Sequence, residues 1–173
     1  MQSKSYWRTH SIMSEINYTP IGIIHTPFRT PEGTPIQPQG AVGVNGTVEV
    51  YPEYQDGLAD LQGFSHIFLI YHFHLAKPYS LQVKPFLDDT PHGLFATRAP
   101  ARPNPIGISI VELIHIEDNR LNIRDIDVVD NTPLLDIKPY VPDFDARAVT
   151  KIGWLEEKTN KIQKTIDDGR FSH

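Results

Sequence analysis

The chain has 173 residues, a formal net charge of -5, an apolar fraction of 39% and no cysteine. That length fits one domain, and the missing cysteines exclude disulfide frameworks, thiolate metal sites and cysteine nucleophiles, in keeping with a reducing, cytoplasmic setting. The longest apolar stretch, residues 64–75, is interrupted by His66, His72 and His74, so no membrane span is expected. The acidic balance means that any nucleic acid must be held by a local basic patch or by shape.

In chain order, residues 1–17 carry Lys4, Arg8 and His10 without a signal-like apolar run, and read as a flexible N-terminal extension. Residues 18–26 are rich in β-branched side chains and predict a first strand. Within residues 41–51, Asn45-Gly46 sits between β-branched residues and predicts a tight type I′ hairpin. Residues 52–63 place Tyr54, Leu58 and Leu61 at helical spacing before Gly63, predicting one short helix. A strand over residues 64–75 follows.

Residues 77–104 form a long proline-rich loop with little periodicity; between strands, such a loop is expected to be functional. Over residues 105–116, Ile106, Ile108, Ile110, Ile114 and Ile116 share one strand face, with Glu112 alone breaking the row. Asp118-Asn119 makes a turn, and residues 121–130 run back. There the apolar positions switch parity, predicting a bulge near Arg124-Asp125. Residues 134–141 and 149–155 are further candidate strands. The fold class is mainly β: a compact six- or seven-stranded β-barrel over residues 18–160, followed by a C-terminal tail at residues 161–173. A doubly wound sheet is disfavoured, since strand–helix alternation and a GxGxxG turn are both absent.

Four segments carry the residue types of a site. Residues 92–107 hold Pro100, Pro103 and Pro105, which stiffen the backbone, remove amide donors and leave carbonyls in need of partners. Arg98 and Arg102 within it offer planar forks to a carboxylate or phosphate, for ligand capture or for local ion pairs. Asp130-Asn131-Thr132-Pro133-Leu134 makes a turn whose side chains are free for a ligand or for their own backbone, with Asp136 and Lys138 on one strand face beyond it. His66, His72 and His74 lie on one face of their strand. His66 and His72 would stand roughly 20 Å apart, which leaves a His72/His74 metal pair as a minor alternative to ligand or lining contacts. Gln37-Pro38-Gln39 is a polar, proline-stiffened loop whose amides suit an adenine edge or an amino acid, or else a plain surface turn.

Taken in order, Pro20-Ile21-Gly22, Gln37-Pro38-Gln39-Gly40, Phe64-Ser65-His66, Phe95-Ala96-Thr97-Arg98, Arg102-Pro103-Asn104-Pro105-Ile106-Gly107 and Asp136-Ile137-Lys138-Pro139-Tyr140 resemble the TsaA/TrmO-type family. The resemblance implies a β-barrel, usually dimeric, that binds S-adenosyl-L-methionine near the subunit interface. It also implies methylation of the exocyclic amine of threonylcarbamoyl-adenosine beside the anticodon of threonine transfer RNAs. Carried over by motif, the cofactor contacts are Gln37, Pro38, Gln39, His74, Leu75, Arg98, Ile108, Asp130, Asn131, Thr132, Pro133 and Leu134. The chain departs from the family where Gln37-Pro38-Gln39 replaces a usual Pro-Arg-Gln, and where Asn131 stands in place of glycine.

The sulfonium methyl is already activated, so alignment and exclusion of water are the main expected tasks, with no metal required. Asp130, Asp136 or His74 are the candidates to accept the amine proton, and Tyr140 is the candidate to steady the sulfonium. The competing readings are a methyltransferase acting on a small molecule, a non-catalytic cofactor sensor, and a metal-dependent barrel using His72 and His74.

Overall fold

Alternating apolar side chains oblige each strand to bury one face, and enough short strands satisfy that demand by closing on themselves. The computed structural model describes residues 15–156, 158–159 and 165–171; most of the expected N-terminal extension and part of the expected tail lie outside them. Its strands are β1 (Gly22–His25), β2 (Asn45–Val50), β3 (His66–His72), β4 (Gln82–Val83), β5 (His92–Gly93), β6 (Ile106–Glu117), β7 (Arg120–Arg124) and β8 (Thr132–Pro139). All but β4 and β5 join in one closed antiparallel barrel, in the order β1-β2-β7-β6-β3-β8. Of the six or seven strands expected, the closed barrel has six.

The barrel interior is filled by Ile24, Val48, Val50, Ile67, Leu69, Val111, Leu121, Ile123 and Leu134, each almost wholly buried. Pleating then dictates the outside. On β3 the histidines His66 and His72 face outward with Phe68 and Ile70, while Ile67, Leu69 and Tyr71 point in. On β6 the inward set is Gly107, Ser109, Val111 and Leu113, so Ile106, Ile108, Ile110 and Ile114 stand on the exterior.

The seam that completes the barrel is short: Gly22, Ile23 and Ile24 pair with Leu134, Pro133 and Thr132. It is reinforced just beyond by Asp130, whose Oδ1 accepts the Thr26 amide at 3.0 Å while Oδ2 meets Arg29 and Asn131. Asn131 holds φ +61, the left-handed conformation that asparagine tolerates and that glycine adopts freely.

Several local expectations are corrected. Asn45-Gly46 is not a turn but the first two positions of β2, paired with Arg124 and Ile123. Gly46 is needed for close approach, since a Cβ there would meet the His25 carbonyl and the Ile126 side chain at 2.9 Å. Residues 52–63 form two 3-10 segments, Pro52–Leu58 and Leu61–Gly63, rather than an α-helix, as Gly57 and the initial proline favour. Among the described residues, the one short α-helix is Pro142–Asp145. Residues 149–155 are not a strand and end in a 3-10 turn, Gly153–Leu155. The parity switch after β7 arises from Asp125 at φ +68, while the register shift lies opposite, between Leu113 and His115 on β6.

Because neighbours are antiparallel, β1, β3 and β7 finish at the same barrel end where β2, β6 and β8 begin. Residues 26–44, 73–105 and 125–131 therefore all emerge there. The proline-rich loop leaves and returns through a narrow neck, with His72 paired to Ile106 and the Phe73 amide donating to the Pro105 carbonyl at 2.7 Å. It carries its own small core of Val83, Leu94 and Ala99, covered by Phe171. Residues 165–171, expected as a tail, run back over this end: the Gly33 amide donates to the Asp167 carbonyl at 2.8 Å, and Pro35 bridges to Ile166.

Gly107 is where barrel and loop meet most tightly, because a Cβ there would lie 2.1 Å from the Tyr71 ring. Gly107→Ala is expected to lower stability by about 1–3 kcal/mol through overpacking. A urea melt should show this as a lower midpoint with unchanged slope.

Candidate active site

The loops at the open end enclose a cavity of about 730 Å³, within the size range of small-molecule sites. Its floor is the barrel end, Tyr71, Gly107 and Thr132, joined by Asp127 and Val128 from the 125–131 connection. Its sides come from two separate connections, with Ile36, Gln37 and Gln39 on residues 26–44, and Phe73, His74, Leu75, Phe95, Thr97, Arg98 and Arg102 on residues 73–105. Trp154, Asp167 and Phe171 complete the rim.

Of the residues singled out in the sequence, Gln37, Gln39, His74, Leu75, Arg98, Ile108 and Thr132 line this one cavity. Pro38 opens the 3-10 turn Pro38–Gly40 beside it. Asp130, Asn131, Pro133 and Leu134 do not line it. Asp130 and Asn131 form the seam clamp, and Leu134 is a core residue. Asp136 and Tyr140 lie elsewhere: Asp136 pairs with Lys138 at 2.7 Å on the barrel exterior, and Tyr140 stacks edge-on against Phe68. His66 and His72 are also exterior, and among the described residues no group of three or more metal-ligating side chains is assembled. No helix among the described residues is long and apolar enough to cross a membrane.

The two loop arginines divide the work. The Arg102 Nη1 donates to the carbonyls of Leu94, Thr97 and Ala99 at 3.5, 3.1 and 3.4 Å, supplying the partners that the prolines withhold, and its guanidinium lies 5.7 Å from the Phe95 ring centre. Arg98 instead reaches across the cavity, with Nη1 donating to Gln37 Oε1 at 2.7 Å. It thereby links the first loop to the proline-rich one and leaves further donors to offer. Trp154 braces the rim by donating Nε1–H to the Ala96 carbonyl at 2.7 Å and stacking on His92 at 4.6 Å. His92 in turn meets Asp88, which also holds Lys158.

A polar chain is set into the cavity floor that the sequence patterns did not single out. Tyr71 Oη and Ser109 Oγ are 3.0 Å apart, and Ser109 Oγ donates to Asp127 Oδ1 at 2.6 Å. Burial pushes the Asp127 carboxyl up to about 6, against the opposing pull of the Ser109 bond and the Arg98 charge. The Tyr71 hydroxyl is raised by burial and by Asp127, so it stays neutral. His74 is lowered by burial and by His72, favouring the uncharged ring. A polar residue at an inward strand position, Ser109 amid isoleucines and valine, was the available signal for this chain, and Asp127 follows from its own place among apolar neighbours.

Comparisons with known proteins point one way. A family model described as the tRNA-methyltransferase O N-terminal domain matches residues 23–146. A protein of Pyrococcus abyssi, named a probable S-adenosyl-L-methionine-binding protein, is 59% identical over 156 residues, covering 90% of this chain and 85% of the relative. The tRNA (adenine(37)-N6)-methyltransferase of Escherichia coli is 35% identical over 140 residues, covering 75% of this chain and 60% of the enzyme. The crystal structure of TrmO from Pseudomonas aeruginosa superposes with a TM-score of 0.68 at 39% identity, over 81% of this chain and 62% of that one. The chain thus spans less than two thirds of the length of the Escherichia coli enzyme and of the Pseudomonas aeruginosa structure.

Burial of the Asp127 carboxyl also makes stability depend on pH. With a folded value of about 6 for Asp127, against about 4 for a free aspartate, ionisation is less favourable in the folded chain. Stability is therefore lost as pH rises from about 4 through about 6, and is recovered below that window. Asp127→Asn is expected to be more stable than the parent by about 1–3 kcal/mol at pH 7. Denaturant melts at the two ends of the window should show the difference vanishing near pH 4.

Proposed function

Since the chain belongs to the tRNA-methyltransferase O family, we propose that it transfers a methyl group from S-adenosyl-L-methionine to the exocyclic nitrogen of an adenine at position 37 of transfer RNA. The observation that carries this reading is the convergence of Gln37, Gln39, His74, Leu75, Arg98 and Ile108 on one cavity, from loops far apart in the chain. The matching family model and the activity named for the Escherichia coli relative point the same way.

The donor set suits an amino-acid-bearing nucleoside. Arg98 and Gln37 offer planar donors to a carboxylate, and Gln39 can meet an adenine edge. Leu75, Ile108 and Phe73 supply apolar walls that exclude water. When bound, the cofactor supplies an electrophilic methyl. The protein's part is to hold the adenine nitrogen in line with it and to keep the pocket dry. Phe95, 74% exposed at the lip, offers a face on which an unstacked base can lie. Arg98 and Arg102 place positive charge at that lip, a local basic feature that supports RNA binding by an otherwise acidic chain. The finer substrate we propose is the threonylcarbamoyl-adenosine of threonine transfer RNA.

We further propose that the working form is a homodimer. Ile106, Ile108, Ile110 and Ile114 form an apolar row on the exterior of β6, from 37% to 52% exposed. Two of them, Ile106 and Ile108, also line the cavity, so a second copy seated on the row would border the site. A row of this kind left bare is unusual on a soluble monomer.

Arg98→Ala should weaken cofactor binding by about tenfold or more, the scale of a lost charge-assisted hydrogen bond; unchanged affinity by calorimetry would remove Arg98 from the site. Ile110→Lys should convert the dimer to a monomer in sedimentation velocity, and a monomeric parent chain would sink the pairing proposal. For the substrate, mass spectrometry of threonine transfer RNA after incubation with the protein should show one added methyl on the modified adenosine. A methylated product in a small-molecule pool and none in RNA would favour the alternative reading instead.

A further inference from the structure

An adenine nitrogen that gains a methyl must shed a proton, and near neutral pH a carboxylate in a water-poor pocket is a suitable acceptor. Of the three candidates raised by the sequence, Asp136 is on the exterior in its pair with Lys138. Asp130 has both oxygens engaged, by the Thr26 amide and by Arg29 and Asn131. His74 lines the cavity and is kept uncharged by burial and by His72, but no side-chain hydrogen bond among the described residues orients its ring. Two carboxylates remain on the cavity lining among the described residues, Asp127 and Asp167.

Asp167 belongs to the returning segment at the rim. Its Oδ1 accepts the Gly169 amide at 2.7 Å, and its partners are backbone groups of loops. Asp127 lies on the 125–131 connection just past β7, and its side chain is tied to the barrel wall. Ser109 of β6 fixes its Oδ1 at 2.6 Å, and Tyr71 of β3 fixes Ser109 in turn. Gly107, with no side chain, is what allows Tyr71 to occupy its position. The charged or titratable groups facing the carboxylate are Tyr71 from β3 and Arg98 from the proline-rich loop. Arg98 is also the residue proposed to orient the cofactor.

We propose that Asp127 is the proton acceptor of the methyl transfer, with Ser109 and Tyr71 as positioning residues that aim its carboxylate into the cavity. This rests on the proposed methylation of transfer RNA and assigns a step within it. The nitrogen lone pair forms the new N–C bond as the C–S bond breaks. The electron pair of that bond leaves on sulfur, giving a neutral thioether. The N–H proton passes to the Asp127 carboxylate, which becomes a carboxylic acid and releases the proton to solvent after the product departs. Charge balances without any further reagent.

The test separates three quantities in the full chain: cofactor affinity by calorimetry, single-turnover methyl transfer to threonine transfer RNA carrying the modified adenosine, and the pH dependence of that rate. The parent rate should rise with pH along an acid limb centred near the value of about 6 for Asp127. Asp127→Asn should keep cofactor affinity within about threefold, lose about 100-fold or more in rate, and lose the limb. Ser109→Ala removes a bond that lowers the Asp127 value, so its limb should move to higher pH while the plateau rate stays within about tenfold of the parent. An Asp127→Asn rate within about threefold of the parent, or an acid limb that persists in it, overturns the proton-acceptor role alone. A limb unmoved in Ser109→Ala overturns the positioning role. A parent chain that binds cofactor yet methylates no RNA overturns the function reading itself, and the assignment of Asp127 with it.

Discussion

Everything at the open end of this molecule depends on one short seam, where β1 meets β8 through Gly22–Leu134, Ile23–Pro133 and Ile24–Thr132. A sheet that closes has no free edges, and its alternating strands must deliver every second connection to the same end. Three connections with no sequence neighbourhood in common therefore meet around one cavity. The clamp at Asp130 makes the seam firm despite its length. Burial disfavours its charge, yet the Thr26 amide, Arg29, Asn131 and His25 together hold the carboxyl below its usual range. That aspartate sits in a segment resembling a ligand turn, but its bonds go to the scaffold that holds the ligand loops in place.

The floor shows the opposite balance. Asp127 is buried where its charge is costly, beside Ser109 and Tyr71, with burial pushing its carboxyl above the usual range. Sites are commonly where a chain gives up stability for chemistry. The contrast between two aspartates three positions apart is instructive: one is fully bonded and serves the frame, the other is underbonded and faces the cavity.

Much of the frame was legible before any coordinates. Period-two alternation located β6, the strands expected over residues 64–75 and 134–141 contain or overlap β3 and β8, and the Asp118-Asn119 turn fell where the apolar row stopped. The glycine-containing dipeptide misled because Asn45-Gly46 answers a packing demand, the approach of the His25 carbonyl and Ile126, and no local signal distinguishes that from a turn. The segment at residues 52–63 misled because helical spacing survives in 3-10 geometry once a proline and a mid-segment glycine weaken the α form. At the site, the proline-flanked arginines and the glutamine loop were visible as motifs. What could not be read was partnership: that Arg102 would satisfy three carbonyls while Arg98 crosses to Gln37. Nor could sequence show that Asp136 and Tyr140, within a strongly patterned block, face the outer wall. Which side of a closed sheet a residue occupies is a property of the whole ring, and the bulge opposite Ile70 and Tyr71 resets it locally.

The returning segment at residues 165–171 bears on how anything enters. It meets the proline-rich loop where Arg170 Nη1 donates to the Pro85 carbonyl at 2.9 Å and Phe171 covers the small core. It meets the first loop at the Pro35–Ile166 bridge and through backbone hydrogen bonds that include Gly33 to Asp167 and Asp167 to Thr34, each 2.8 Å long. Bonds of this kind contribute about 1 kcal/mol each on balance, far less than the packed wall beneath them. Whatever loosens this segment is therefore felt at the rim before it is felt in the ring.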